Sequence, residues 1–185
     1  MLSNVDILKA IETGELIVKP FSEAQIRASG VTFHLGRTIL KPRPGIIVDA
    51  KNKVLPEYEE FTISDEEPYA LNPQDFVLGH TLEKVSVGAS LALFIEGRST
   101  LARVGLTIVK TAMQVEPGHT NRAITLEMAN HGPNTILLYP DMKIARAALH
   151  ELKTPSTRPY DATGKYRDQK SVGRPIFGSE FRVRD

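Results

Sequence analysis

A chain of 185 residues with 41% hydrophobic side chains is long enough to bury the core of one ordinary domain without staples, and it predicts a single domain over 1–185. The absence of cysteine excludes a disulfide framework and any thiolate metal site, and fits a reducing, cytoplasmic setting. With 23 basic and 22 acidic residues the formal charge is +1, so no field favours a nucleic acid polymer and any anion site must arise from local placement.

The opening stretch carries Asp6, Glu12 and Glu15 and lacks both the basic and the apolar region of a signal peptide. No later apolar run approaches membrane-spanning length, so no membrane partner is expected. Ser3 followed by Asp6 reads as a capping box, and Ile7, Leu8 and Ile11 then fall at helical spacing as far as Gly14, predicting a short N-terminal helix. Val31, Phe33 and Leu35 alternate with Thr32 and His34, the period of a half-buried strand. Further short apolar runs follow at 45–48, 60–63, 76–82, 91–95, 106–109, 123–128, 135–138 and 145–152. Pro, Gly and Asn punctuate them, which predicts an all-β sandwich or barrel. One internal helical turn is expected at 98–103, between Gly97 and Gly105. From Thr154 onward the sequence is polar and rich in Pro and Gly, so 154–185 reads as a tail or lid outside the core.

Four places carry candidate chemistry. Glu127 lies on a predicted strand with Ala123, Thr125 and Ala129 on its own face and Ile124, Leu126 and Met128 on the other. The small neighbours leave room for a ligand or a second subunit beside a carboxylate suited to act as a base; the competing reading is a solvated strand residue. The Arg98-Ser99-Thr100-Leu101-Ala102-Arg103 turn gathers cations, hydroxyls and backbone N–H groups, a combination that cradles phosphate, against the alternative of a capped surface turn. The loop from Thr111 to His119 carries Ala112 and Glu116 beside a Pro-Gly turn, a hairpin shaped to cup a base, although a Glu or His at a turn is ordinarily surface. In the tail, Tyr160, Lys165 and Gln169 could close over phosphates, or simply be solvated. Zinc is not expected, because zinc deaminases pair His-x-Glu with Cys-x-x-Cys. The five histidines show no His-Glu-x-x-His spacing, and no Walker or Gly-x-Gly-x-x-Gly loop occurs.

In this order, the segments resemble the dCTP deaminase family of the dUTPase-like superfamily. Gly97 to Leu106 resembles its G-[RK]-S-[ST]-L-[AG]-R-x-G-L signature, Ile124-Thr125-Leu126-Glu127 its catalytic strand, and Lys165-Tyr166-Arg167-Asp168-Gln169 its K-Y-x-x-Q lid. The resemblance implies a distorted β-barrel or jelly roll assembled as a homotrimer, with active sites between subunits. It implies that Glu127 is the general base for water attacking C4 of cytosine, with Ser99 and Arg103 polarising the reaction centre. It gives the base edge to the backbone around Ala112, the deoxyribose to Glu116, and the triphosphate to Arg98, Ser99, Thr100, Tyr160, Lys165 and Gln169. Mg²⁺ would travel with the phosphates, and dTTP would be an inhibitor acting through the loop around Ala112.

Three positions depart from the family pattern: Thr32 replaces a usual aspartate, the hairpin 115–122 is one residue longer, and Met113 stands where bifunctional members carry Gly. Glu127, the Ser99/Arg103 turn and the Lys165 to Gln169 lid make deamination of dCTP to dUTP the leading expectation, with Met113 pointing to deamination alone, whereas Thr32 and the altered hairpin weigh against activity. A dUTP pyrophosphatase or bifunctional enzyme is the alternative, and a non-catalytic nucleotide-binding homologue a further one.

Overall fold

Ser3 caps the first helix as its spacing to Asp6 requires. Its hydroxyl accepts from the Asp6 amide at 3.3 Å while the Asp6 carboxylate accepts from the Ser3 amide at 3.0 Å, which satisfies two otherwise orphaned donors of α1 (Asn4–Glu12). The computed structural model describes residues 1–169, 171–178 and 180. Lys170, Ser179 and 181–185, and with them part of the expected lid, lie outside the described residues.

The chain continues through β1 (Leu16–Lys19), β2 (Ile26–Arg27), β3 (Gly30–His34), β4 (Thr38–Pro42), β5 (Tyr58–Thr62), β6 (Tyr69–Leu71), β7 (Phe76–Val87) and β8 (Leu91–Gly97). After the short helix α2 (Ser99–Ala102) come β9 (Leu106–Thr107), β10 (Gln114–Val115), β11 (Arg122–Asn130), β12 (Ile136–Leu138) and β13 (Lys143–Glu151), and then α3 (Tyr160–Thr163). One sheet runs β5-β4-β7-β11-β9 with β1 also on β7, a second runs β10-β8-β13-β3-β2, and β12 pairs with β6. Val31, Phe33, Leu93, Ala147 and Leu149 from the second sheet share one core cluster with Val77, Val85, Leu126 and Met128 from the first. The all-β expectation therefore holds, with the N-terminal and internal helices in place. Leu126 and Met128 are fully buried, each contributing about 1.5–3 kcal/mol of apolar transfer, and this anchors β11 so that its alternate residues must face away from the core.

Two expectations need correction. Residues 45–48 form no strand: Ile46, Ile47 and Val48 are exposed at 50%, 87% and 55%, on an excursion between β4 and β5 closed by the Asp49–Val54 bridge. Gly45 there has φ 100°, outside the extended region, and an apolar run without a paired neighbour builds no ladder. Within the tail, Tyr160–Thr163 is helical because the chain there is stitched to the body of the protein.

Between β7 and β11 the register jumps from Ala123↔Lys84 to Thr125↔His80. Thr81 holds the resulting bulge, its hydroxyl donating to the Glu83 carbonyl at 2.7 Å and accepting from the Ile124 amide at 2.9 Å. The bulge turns the Glu83 carboxylate inward, where it receives Gln25 Nε2 at 2.8 Å and the His34 amide at 3.0 Å and lies 2.6 Å from His34 Nδ1. Beside it Thr32 is buried, and its hydroxyl has no partner among the described residues.

His80, in the same strand, is held below its ordinary pKa by burial, against the opposing hydrogen bond to the Thr81 carbonyl. A buried imidazole that resists protonation costs nothing above its unfolded value of about 6.5 and destabilises the fold progressively as pH falls below it. The urea midpoint is therefore expected to be lower at about pH 5.5 than at about pH 7.5, and His80→Gln should narrow the gap. An unchanged gap in the variant would remove His80 from the account.

Candidate active site

Because Leu126 and Met128 turn into the core, Thr125 and Glu127 turn outward from β11 into a cavity of about 460 Å³. That volume lies in the range of small-molecule sites, roughly 300–1,000 Å³. Phe76 and Leu78 of β7, the strand opposite, supply an apolar wall. The loop leading to β10 supplies Lys110 and Ala112, β10 supplies Gln114, the turn after it Glu116 and His119, and the start of β11 Arg122. Glu127 is half-buried, and its Oε2 accepts from the Lys110 amide at 3.2 Å. This contact ties the carboxylate to the loop that carries Ala112.

The tail forms the remaining wall. Gln169 Nε2 donates to the Thr125 hydroxyl at 2.7 Å, the Gly173 amide reaches the same oxygen at 3.3 Å, and Tyr160 OH accepts from the Tyr166 amide at 3.2 Å. Tyr160, Tyr166 and Gln169 thus line the cavity from the side facing Glu127. Lys165 does not line it; its ammonium pairs with Glu180.

Of the residues expected at a site, Glu127, Ala112, Glu116, Tyr160 and Gln169 meet in this one cavity. Arg98, Ser99, Thr100 and Arg103 do not. Helix α2 sits where β8 hands over to β9, with Leu101 packed on the core and Ser99, Thr100 and Arg103 exposed. It is pinned beside the turn that follows β11, where the His131 amide donates to the Gly105 carbonyl at 2.8 Å. A β-carbon at Gly105 would collide with the backbone of Gly132, so only glycine permits this approach. The Arg98 side chain makes no cap hydrogen bond. One chain therefore carries a cavity with a carboxylate and, separately, an exposed turn of cations and hydroxyls.

The sequence did not single out Lys110, Thr125, His119 or Arg122 as cavity residues. His119 reads as a surface histidine at a turn, yet it packs against the Tyr160 ring with centroids 5.8 Å apart. Burial first, and the Arg122 cation second, hold its imidazole below the ordinary value, so it faces the cavity uncharged at neutral pH.

The chain matches the model of the dCTP deaminase-like family over residues 1–152. It is 37% identical over 177 residues to a dCTP deaminase of Haloarcula marismortui, covering 91% of this chain and 90% of that one. It is 35% identical over 188 residues to a dUMP-forming dCTP deaminase of Dictyoglomus thermophilum, covering 98% and 96%. The fold is like that of the 2'-deoxycytidine 5'-triphosphate deaminase of Agrobacterium tumefaciens, with a TM-score of 0.62 at 13% identity. That alignment covers 80% of this chain but 46% of the other, so this chain spans under half of that protein's length. The family match over residues 1–152 and the identity of 35–37% to these relatives over most of the chain place the protein in the dCTP deaminase family.

Proposed function

We propose that the protein hydrolyses dCTP to dUTP and ammonia, supplying a precursor of thymidine nucleotides in the cytoplasm, as a single domain whose residues 154–185 form a C-terminal tail over the site, part of it a lid. The observation that carries this reading is the half-buried Glu127 carboxylate, oriented by the Lys110 amide and facing a cavity of about 460 Å³, large enough to admit a pyrimidine base. Glu127 takes a proton from the water that attacks C4 of the cytosine ring. The same carboxyl group then returns a proton to the departing amine, so that dCTP and water become dUTP and ammonia with no net proton left on the residue. The backbone around Ala112 reads the base edge, and Glu116 faces the deoxyribose.

The exposed turn completes the site from a neighbouring copy. Ser99 and Arg103 stabilise the charge that develops at the reaction centre, and Arg98, Ser99 and Thr100 take the phosphates opposite Tyr160, Lys165 and Gln169. In the homotrimer that the resemblance implies, each interface joins one copy's cavity to the next copy's turn. Lys165 must leave Glu180 to reach a phosphate. The described residues hold no cluster of three His, Cys, Asp or Glu side chains, so the Mg²⁺ in this reading fits as an ion ligated mainly by triphosphate oxygens and water. It neutralises phosphate charge, and zinc has no part. Among the described residues no helix is long and apolar enough to cross a membrane, and the small net charge gives no reason to invoke a nucleic acid polymer. dTTP is the candidate inhibitor, acting through the loop around Ala112.

A second reading, deamination followed by cleavage of the product to dUMP, is favoured by relatives named as dUMP-forming. Met113, where bifunctional members carry Gly, favours deamination alone. Incubation with dCTP and, separately, dUTP in the presence of Mg²⁺, followed by chromatography of the nucleotides, tests both. Accumulation of dUTP that is not cleaved is the expected result. Appearance of dUMP from both substrates would establish the bifunctional enzyme, and no product from either would overturn the catalytic assignment in favour of a nucleotide-binding protein.

A further inference from the structure

Arg122 closes the hairpin between β10 and β11 and is 7% exposed. Its Nη1 donates to the Arg167 carbonyl at 2.6 Å, its Nη2 pairs with the Asp161 carboxylate, and its guanidinium lies 5.5 Å from the centre of the Tyr160 ring. On the far side of this assembly His119, from the same hairpin, packs against Tyr160. The Arg122 Nε–H is enclosed and has no partner among the described residues. A guanidinium kept buried with an unmet donor is held there by its other contacts, and every one of those named here reaches the start of the tail.

The backbone reinforces the same junction. The Tyr160 amide donates to the Pro117 carbonyl at 2.8 Å and the Asp161 amide to the Gly118 carbonyl at 3.2 Å. Gly118 has φ 80°, and a β-carbon there would collide with Pro159, so the approach of tail to hairpin depends on glycine. Burial acts to raise the Asp161 carboxyl, but hydrogen bonds from Arg122 and Thr120, with the Arg122 charge, outweigh it and leave the group below its ordinary value.

We propose that Arg122 is a positioning residue that clamps 159–167 to the hairpin, so that this part of the tail is a fixed wall of the site rather than a moving part of a lid. The inference rests on the deaminase reading only for its catalytic consequence. It predicts that Tyr160 is already in place before substrate binds, while Gln169 must exchange its Thr125 contact for the nucleotide.

Hydrogen exchange of the full chain without nucleotide tests the clamp directly, and dCTP kinetics test its consequence. In Arg122→Met, losing one charge-assisted pair should speed exchange of the Tyr160 and Asp161 amides by about tenfold or more, with exchange in β7 and β11 unchanged. The KM for dCTP should rise about tenfold with kcat within about twofold, since ordering of the wall is then charged to binding. Arg122→Lys should fall between the two proteins. Should Arg122→Met fail to fold, Asp161→Asn, which removes the same pair from an exposed side, is read in its place. Unchanged exchange at Tyr160 and Asp161, or acceleration equal to that in β7 and β11, would overturn the clamp. If the unmutated protein proves inactive on dCTP, the exchange arm still decides the inference, so its failure is distinguishable from failure of the deaminase reading.

Discussion

Glu127→Gln is expected to lower the turnover of dCTP by about 10³-fold while nucleotide binding stays within a few fold, because general acid–base catalysis typically contributes about 10²–10⁴. The amide is nearly isosteric with the carboxylate, and its carbonyl oxygen can still accept the Lys110 N–H that now reaches Oε2 at 3.2 Å. The Ala112 loop therefore keeps its anchor, Leu126 and Met128 keep β11 in place, and the shape of the cavity is retained. What disappears is the lone pair that accepts the water proton. Turnover by single-turnover kinetics and dCTP binding by calorimetry separate the two effects. Retained turnover would sink the assignment of Glu127, and lost binding together with lost turnover would reassign it to substrate recognition.

The second large effect concerns the exposed turn. Arg103→Ala is expected to cost about 10²–10³ in turnover, the usual scale for removing one group that stabilises charge in the transition state. Mixing it with Glu127→Gln should nevertheless restore activity, although both parents are inactive. If each site joins Glu127 of one copy to Arg103 of the next, random assembly of an equal mixture leaves about a quarter of sites with both residues intact. Co-expression with two affinity tags isolates the mixed assemblies, and turnover of the purified mixture gives the answer. No recovery in confirmed mixed assemblies would mean that Arg103 acts within its own chain or not at all. The placement of α2 argues for recovery, since Ser99, Thr100 and Arg103 face solvent outside the lining of the Glu127 cavity.

Local signals carried much of the fold. The Ser3–Asp6 capping box, the alternation at Val31 to Leu35 and the strand with Leu126 and Met128 on one face and Glu127 on the other are short-range patterns set by helix and strand periodicity. They reappear as α1, β3 and β11. The short strands β1, β2, β4, β6 and β10 were missed because two to five residues carry too little pattern. They exist through pairing, as Leu16 to Lys19 does with Lys84 to Val87. The run at 45–48 failed for the converse reason, since its hydrophobicity found no neighbouring strand.

At the site the division is similar. The sequence by itself determined the chemistry available: a glutamate on a strand face lined by small residues, a turn of cations and hydroxyls, a polar tail, and the absence of cysteine that removes thiolate ligands. Tertiary structure alone decided which of these meet. It brought Glu127, Ala112, Glu116, Tyr160 and Gln169 together, left the Arg98 to Arg103 turn outside, paired Lys165 with Glu180, and joined Arg122 of the hairpin to the tail. The physical reason is distance along the chain. Residue type and local period are fixed by bonds a few atoms apart, whereas the contact of Arg122 with Asp161, or of Thr125 with Gln169, depends on two sheets closing over one core and carrying the tail back across it.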